Sequence, residues 1–91
     1  MTTETTTTPK TEMSEDTFTQ HGSMCQRVMF RTLNPQGREI GFAWAEQHWN
    51  NQEVWTAYRW SDQVGARTLR CLLPRDEAIE VARKHAESLA Q

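Results

Sequence analysis

Residues 38–73 read REIGFAWAEQHWNNQEVWTAYRWSDQVGARTLRCLL and hold all four tryptophans of the chain, Trp44, Trp49, Trp55 and Trp60, with its only tyrosine, Tyr58. In an extended strand Ile40, Phe42 and Trp44 point one way and Gly41, Ala43 and Ala45 the other, the period of a half-buried strand. A second alternating run covers residues 54–60. If residues 50–52 form a three-residue loop, Trp44 faces Tyr58 and Phe42 faces Trp60. A slip of one residue would move a whole side-chain set to the opposite face. Asp62-Gln63-Val64-Gly65 reads as a further turn, and a four-residue loop there sets Tyr58 opposite Leu69, Thr56 opposite Cys71 and Val54 opposite Leu73.

Upstream, residues 25–33 (CQRVMFRTL) are rich in β-formers and lead into Asn34-Pro35-Gln36-Gly37. Pro35 presets φ for the first turn position and Gly37 tolerates the left-handed conformation, which suits a tight hairpin loop. Asn34 then pairs with Arg38, and the register places Phe30 opposite Phe42 and Val28 opposite Trp44. Downstream, Pro74 ends the last strand and residues 75–90 read as a helix. Asp76 and Glu77 sit where the helix dipole favours acids, and Glu80 with Lys84 forms an i, i+4 pair. Its apolar stripe is Ala78, Ile79, Ala82, Ala86, Leu89 and Ala90.

The predicted fold is therefore α+β: a small antiparallel sheet of three to four strands in a meander, with one C-terminal helix packed on one face, in the order ββββα. The thin alanine stripe is expected to lie against the bulky face of Val28, Phe30, Ile40, Phe42, Trp44, Tyr58, Trp60 and Leu69, small against large. The other face would carry Arg27, Met29, Arg31, Trp49, Trp55, Arg59 and Arg70 over a floor of small residues.

Residues 1–20 are rich in threonine, carry four acids (Glu4, Glu12, Glu15, Asp16) against Lys10, and offer little to bury. They are expected to be a disordered, acidic tail, leaving residues 21–91 as the single folded domain. The chain's formal charge of -2 becomes nearly neutral without the tail, at nine Arg and Lys against eight Asp and Glu. Such a balance is unlike the basic footprint of a protein that coats nucleic acid. No segment is apolar enough to span a bilayer, and the amino terminus lacks the blocks of a signal peptide, so a cytoplasmic protein without membrane contact is expected.

No motif names a reaction. Ser23, Ser61 and Ser88 lie in no nucleophile pattern, there is no glycine-rich phosphate loop, and His21, His48 and His85 are scattered, so no catalytic residue, metal or cofactor is expected. Cys25 and Cys71 read as two buried thiols. What remains is the sheet face left open by the helix, with Arg27, Arg31, Trp49, Trp55, Arg59 and Arg70 as candidate binding residues. Tryptophan and arginine are the types that most often dominate binding energy. The expectation is a non-enzymatic interaction protein, a regulator, accessory factor or inhibitor, docking on a larger protein. Nucleic-acid binding through the same face is the alternative, and a homodimer would also use such a face.

The order of a small antiparallel sheet followed by one helix, over residues 38–90, is similar to the DNA-binding domains of the AP2 type and the arm-binding domains of phage integrases. The likeness is one of topology, with no diagnostic motif beside it. It implies an open sheet face presenting arginine and tryptophan to the major groove, with Arg59, Arg70 and Trp55 as that kind of residue.

Overall fold

The computed structural model describes residues 10–89. They form a five-stranded antiparallel meander, β1 (Lys10–Gln20), β2 (Ser23–Leu33), β3 (Glu39–Gln47), β4 (Trp55–Ser61) and β5 (Gly65–Leu73), followed by α1 (Arg75–Ser88), which packs on one face of the sheet. The α+β class and the single C-terminal helix are as the sequence predicts. The sheet has one strand more than expected.

That strand lies in the supposed tail. β1 pairs with β2 without interruption from Lys10↔Leu33 to Gln20↔Ser23. The hairpin turns on His21 and Gly22, whose φ values of 50° and 79° are both positive, the requirement of a two-residue turn that matches strand twist. The register sets Glu12 opposite Arg31 and Asp16 opposite Arg27, and both pairs close as ion pairs, at 3.0 and 2.7 Å. Opposite charges facing across a ladder contribute roughly 0.2–1 kcal/mol each. Two of the three acids that made residues 10–20 look unfoldable, Glu12 and Asp16, are thus partners for arginines of β2. The expectation of disorder is overturned for residues 10–20, and for residues 1–9 it falls outside the described residues.

The second hairpin forms where predicted. Asn34 N–H donates to the Arg38 carbonyl at 2.8 Å and Gly37 N–H to the Asn34 carbonyl at 2.8 Å, while Gly37 takes a φ of 83°. The Asn34 Oδ1 accepts from the backbone of Gln36 and Arg38 at 3.0 and 2.9 Å, which locks the turn. Just beyond it the register shifts. Leu33 faces Glu39, but Thr32 faces Gly41, so Ile40 is an extra residue on β3. From there on Phe30 lies opposite Ala43 and Val28 opposite Ala45, not opposite Phe42 and Trp44.

A one-residue bulge transposes every later side chain of β3 relative to β2. The β3–β4 register is the predicted one, Phe42↔Trp60 and Trp44↔Tyr58, so β4 is carried over with β3. The helix consequently covers Val28 and Phe30, as expected, but with Ala43, Ala45, Trp55 and Ala57 in place of Phe42, Trp44, Tyr58 and Trp60. Packing is small against small: Ala78, Ala82 and Ala86 of α1 are all fully buried, as are Ala43, Ala45 and Ala57 of the sheet. Alanine on alanine allows close backbone approach. The Thr32 hydroxyl, itself fully buried, donates to the Ala86 carbonyl at 2.6 Å. Gly41 lies under Leu89, whose Cδ1 would stand 2.8 Å from an added Cβ. Ala90, the last residue of the predicted stripe, lies outside the described residues.

β5 is irregular. Its hairpin has a three-residue loop rather than four, with Ser61↔Gly65 and Tyr58↔Thr68, and two register shifts follow, giving Ala57↔Arg70 and Trp55↔Leu73. Leu72, at a φ of 59°, marks the second shift. The first lets Leu69 pack against the core while its neighbour Arg70 also reaches the helix side, where it pairs with Glu77 at 3.6 Å.

Two outcomes check this arrangement. Removing residues 1–20 should lower the melting temperature by about 5 °C or more, since the loss uncovers the whole edge of β2; an unchanged value would mean that β1 adds nothing. Trp55 is 2 % exposed and Trp60 is 39 % exposed. Trp55→Ala should therefore cost about 3–5 kcal/mol. In dilute solution Trp60→Ala should cost about 1 kcal/mol or less, as chemical denaturation of the two variants would read out.

Candidate docking face

The uncovered side of the sheet is aromatic. Alternation along β3 and β4 brings Phe42, Trp44, Tyr58 and Trp60 to this side, and the direct cross-strand pairing makes them a two-by-two array. Trp44 and Tyr58 stack with ring centroids 5.2 Å apart, Phe42 and Trp60 at 6.0 Å, and Phe42 meets Trp44 along the strand at 5.4 Å. Stacked rings of this kind add roughly 0.5–1.5 kcal/mol beyond the area they bury. Met29 of β2 lies opposite Trp44 and extends the patch.

One indole of the array is satisfied from within. The Trp44 Nε1 donates to the Glu46 carboxylate at 2.8 Å. Burial, and then the charge of Glu46, push the Tyr58 hydroxyl above its ordinary range. That ring remains a neutral donor. Along the β1–β2 side of the patch the two arginines are already engaged. Arg27 makes a two-pronged contact with Asp16 at 2.9 and 2.7 Å and lies 4.9 Å from the Phe18 ring centroid. Its hydrogen bonds hold the Asp16 carboxyl below its ordinary value and raise the Arg27 guanidinium. Arg31 contacts Glu12 at 3.0 Å and Glu39 at 3.8 Å.

The structure scatters the residues that the sequence grouped as one site. Arg27 and Arg31 are on the open face, but ion-paired. Trp49 lies in the β3–β4 connection between the rings of His21 and His48, at 4.5 and 5.7 Å. Trp55 is buried beneath the helix, with the Arg75 guanidinium 5.7 Å from its ring. Arg59 and Arg70 project to the helix side. The bulge at Ile40 explains all three, since it carries β4 over with β3 and Arg70 still lies opposite Ala57, as the sequence register has it. Phe42, Trp44, Tyr58 and Trp60, assigned to the core from sequence, form the face instead. A signal for them was present: alanines at i, i+4, i+8 on α1 fit the alanines of β3 and β4 better than they fit a row of large rings.

Among the described residues no group of three or more His, Cys, Asp or Glu is placed to hold a metal ion, and no helix is long and apolar enough to cross a membrane. Cys25 is buried as expected, whereas Cys71 is exposed; both thiols are free. Cys71 follows the first irregularity of β5, which turns Leu69 and Arg70 toward the helix and leaves the next residue outside.

His85, half-buried on α1, titrates below its ordinary value, first because burial disfavours the imidazolium and second because Arg59 stands beside it. The unfolded chain therefore takes up this proton first as pH falls from about 6.5. Stability held above that pH should decline below it, and the decline should end once the folded-state value is passed. His85→Gln should flatten this part of the melting-temperature profile between about pH 7 and pH 5. A profile identical to that of the wild type would remove His85 as its cause.

No family model, no curated protein and no solved structure matches the chain. The face is read from its own geometry.

Proposed function

We propose that this protein is a small non-enzymatic interaction module that docks on the surface of a larger protein through Phe42, Trp44, Tyr58 and Trp60. The observation that carries this reading is the stacked aromatic array on the uncovered side of the sheet, with the flanking arginines already neutralised by acids of the same chain. An apolar centre with a satisfied polar rim is the anatomy of a protein interface. The role is that of a regulator, accessory factor or inhibitor. A cytoplasmic setting accords with two free thiols, one of them exposed, since reducing compartments keep thiols unpaired.

Nucleic-acid binding is the second reading, because rings presented on a sheet are also a platform on which unpaired bases stack. Charge weighs against it. Phosphate binding draws on free cations, and Arg27 and Arg31 are both held in ion pairs at the edge of the face.

Affinity capture from nuclease-treated extract of the source cells, followed by calorimetry with the purified partner, tests the proposal. Tyr58→Ala and Trp60→Ala should each weaken the complex by about 1–3 kcal/mol while the variants stay folded. Full retention of affinity in both would place the site elsewhere. Tryptophan quenching by a thymidine oligonucleotide, lost steeply on raising salt, would favour the nucleic-acid reading instead.

A further inference from the structure

Among the described residues only two of the Phe, Trp and Tyr side chains, Phe30 and Trp55, belong to the core. Beneath α1 the fully buried residues of the cluster include six alanines, with Val28, Phe30, Trp55 and Leu73 as the buried bulk and Leu69, Ile79 and Val81 partly buried against them. On the other side of the sheet stand Phe42, Trp44, Tyr58, Trp60 and Met29. Both cysteines are free, and among the described residues no metal cluster is formed. Domains of this size usually add such a staple or associate, because a single thin core supplies little net stability. We propose that in the isolated protein the open face is covered by the same face of a second copy, giving a symmetric dimer with two sheets packed face to face and the helices outermost. This rests on the reading of the face as a protein-docking surface and names its occupant when no larger partner is bound.

Size, charge and shape favour a second copy. Strands of seven to eleven residues, spaced about 4.8 Å apart and rising about 3.3 Å per residue, give a face of roughly 700 Å². A standard interface takes about 800 Å² from each partner. Within each chain Arg27 is balanced by Asp16 and Arg31 by Glu12, and the Glu46 carboxylate accepts from the Trp44 Nε1 beside it, so neither of these arginines meets its copy unpaired. A strongly acidic or basic partner would find no free counter-charge in these pairs. Twofold contacts require a self-complementary patch, and a neutral array of rings able to interdigitate meets that condition. Two sheets packed in this way lie about 10 Å apart with their inner side chains meshed. A larger partner then has to displace the second copy, which links docking to dissociation of the dimer.

Sedimentation equilibrium of the full chain tests this directly. The expected mass is that of a dimer, dissociating on dilution at micromolar concentration or below. Trp60→Glu should shift the equilibrium to monomer by at least tenfold in dissociation constant. Met13→Glu, at an exposed site on the helix side of β1, should leave it unchanged. Should Trp60→Glu fail to fold, dilution of the wild type provides the second measurement: tryptophan emission should shift to the red and acrylamide quenching should rise as dimers separate. A monomer at the highest concentrations overturns the dimer and leaves the docking reading to stand on the capture experiment. A dimer that survives Trp60→Glu, or that dissociates with no change in tryptophan emission, also overturns it. Retained partner affinity in Tyr58→Ala and Trp60→Ala, by contrast, overturns the docking reading itself.

Discussion

One extra residue, Ile40, decides what this molecule shows to solvent. In the β2–β3 hairpin the turn is closed by Asn34 and Gly37, and pairing begins in step with it. The bulge that follows re-phases the two strands, so that the apolar side of β2 shares a face with the alanine side of β3. Because β4 is in direct register with β3, the choice propagates across the sheet. Without the bulge, Val28 and Phe30 would share their face with four large rings, and a helix lined by alanine would sit high on an uneven surface. With it, three alanines of the helix settle onto three of the sheet, and the rings are left on the far side. Packing density in the core and exposure of the aromatic face are two results of one register.

Much of the architecture was legible because local rules agreed with one another. Asn34-Pro35-Gln36-Gly37 carries its turn type in its residues, Pro74 with the acids after it announces the helix, and period-two alternation pairs Phe42 with Trp60 and Trp44 with Tyr58. Which face is covered was not legible. Ile40 is a good strand former and bears no mark of a bulge, unlike Gly37 or Gly65, whose positive φ a glycine signals in advance. Alternation reports that two faces differ and leaves open which one is buried. The fates of Trp55 and Trp60 were therefore interchangeable in the sequence, and they were exchanged in the fold.

β1 was hidden for a different reason. Thr11, Glu12, Glu15 and Asp16 taken alone have the composition of a solvated tail. The meaning of Glu12 and Asp16 appears only opposite Arg31 and Arg27, since a charge pattern on an edge strand becomes a pairing code once a partner strand is in register. The candidate site suffered from both effects together. Arg27 and Arg31 are where they were expected, yet the acids of β1 neutralise them, and a face predicted to be basic is neutral and aromatic.

The meander also sets the order in which the protein can assemble. Every strand pairs with its neighbour in the chain, so each hairpin closes a short loop and the sheet can grow from its amino-terminal edge during synthesis, with little of the entropic delay that distant pairings impose. The helix alone has to wait for a finished surface, because its alanine stripe fits only after the bulge at Ile40 and the shifts in β5 have placed Ala43, Ala45 and Ala57 side by side. Until it docks, the sheet is bare on both sides. With both faces open the chain is more adhesive than in its final form, and docking of the fourteen helical residues onto three alanines closes one of them.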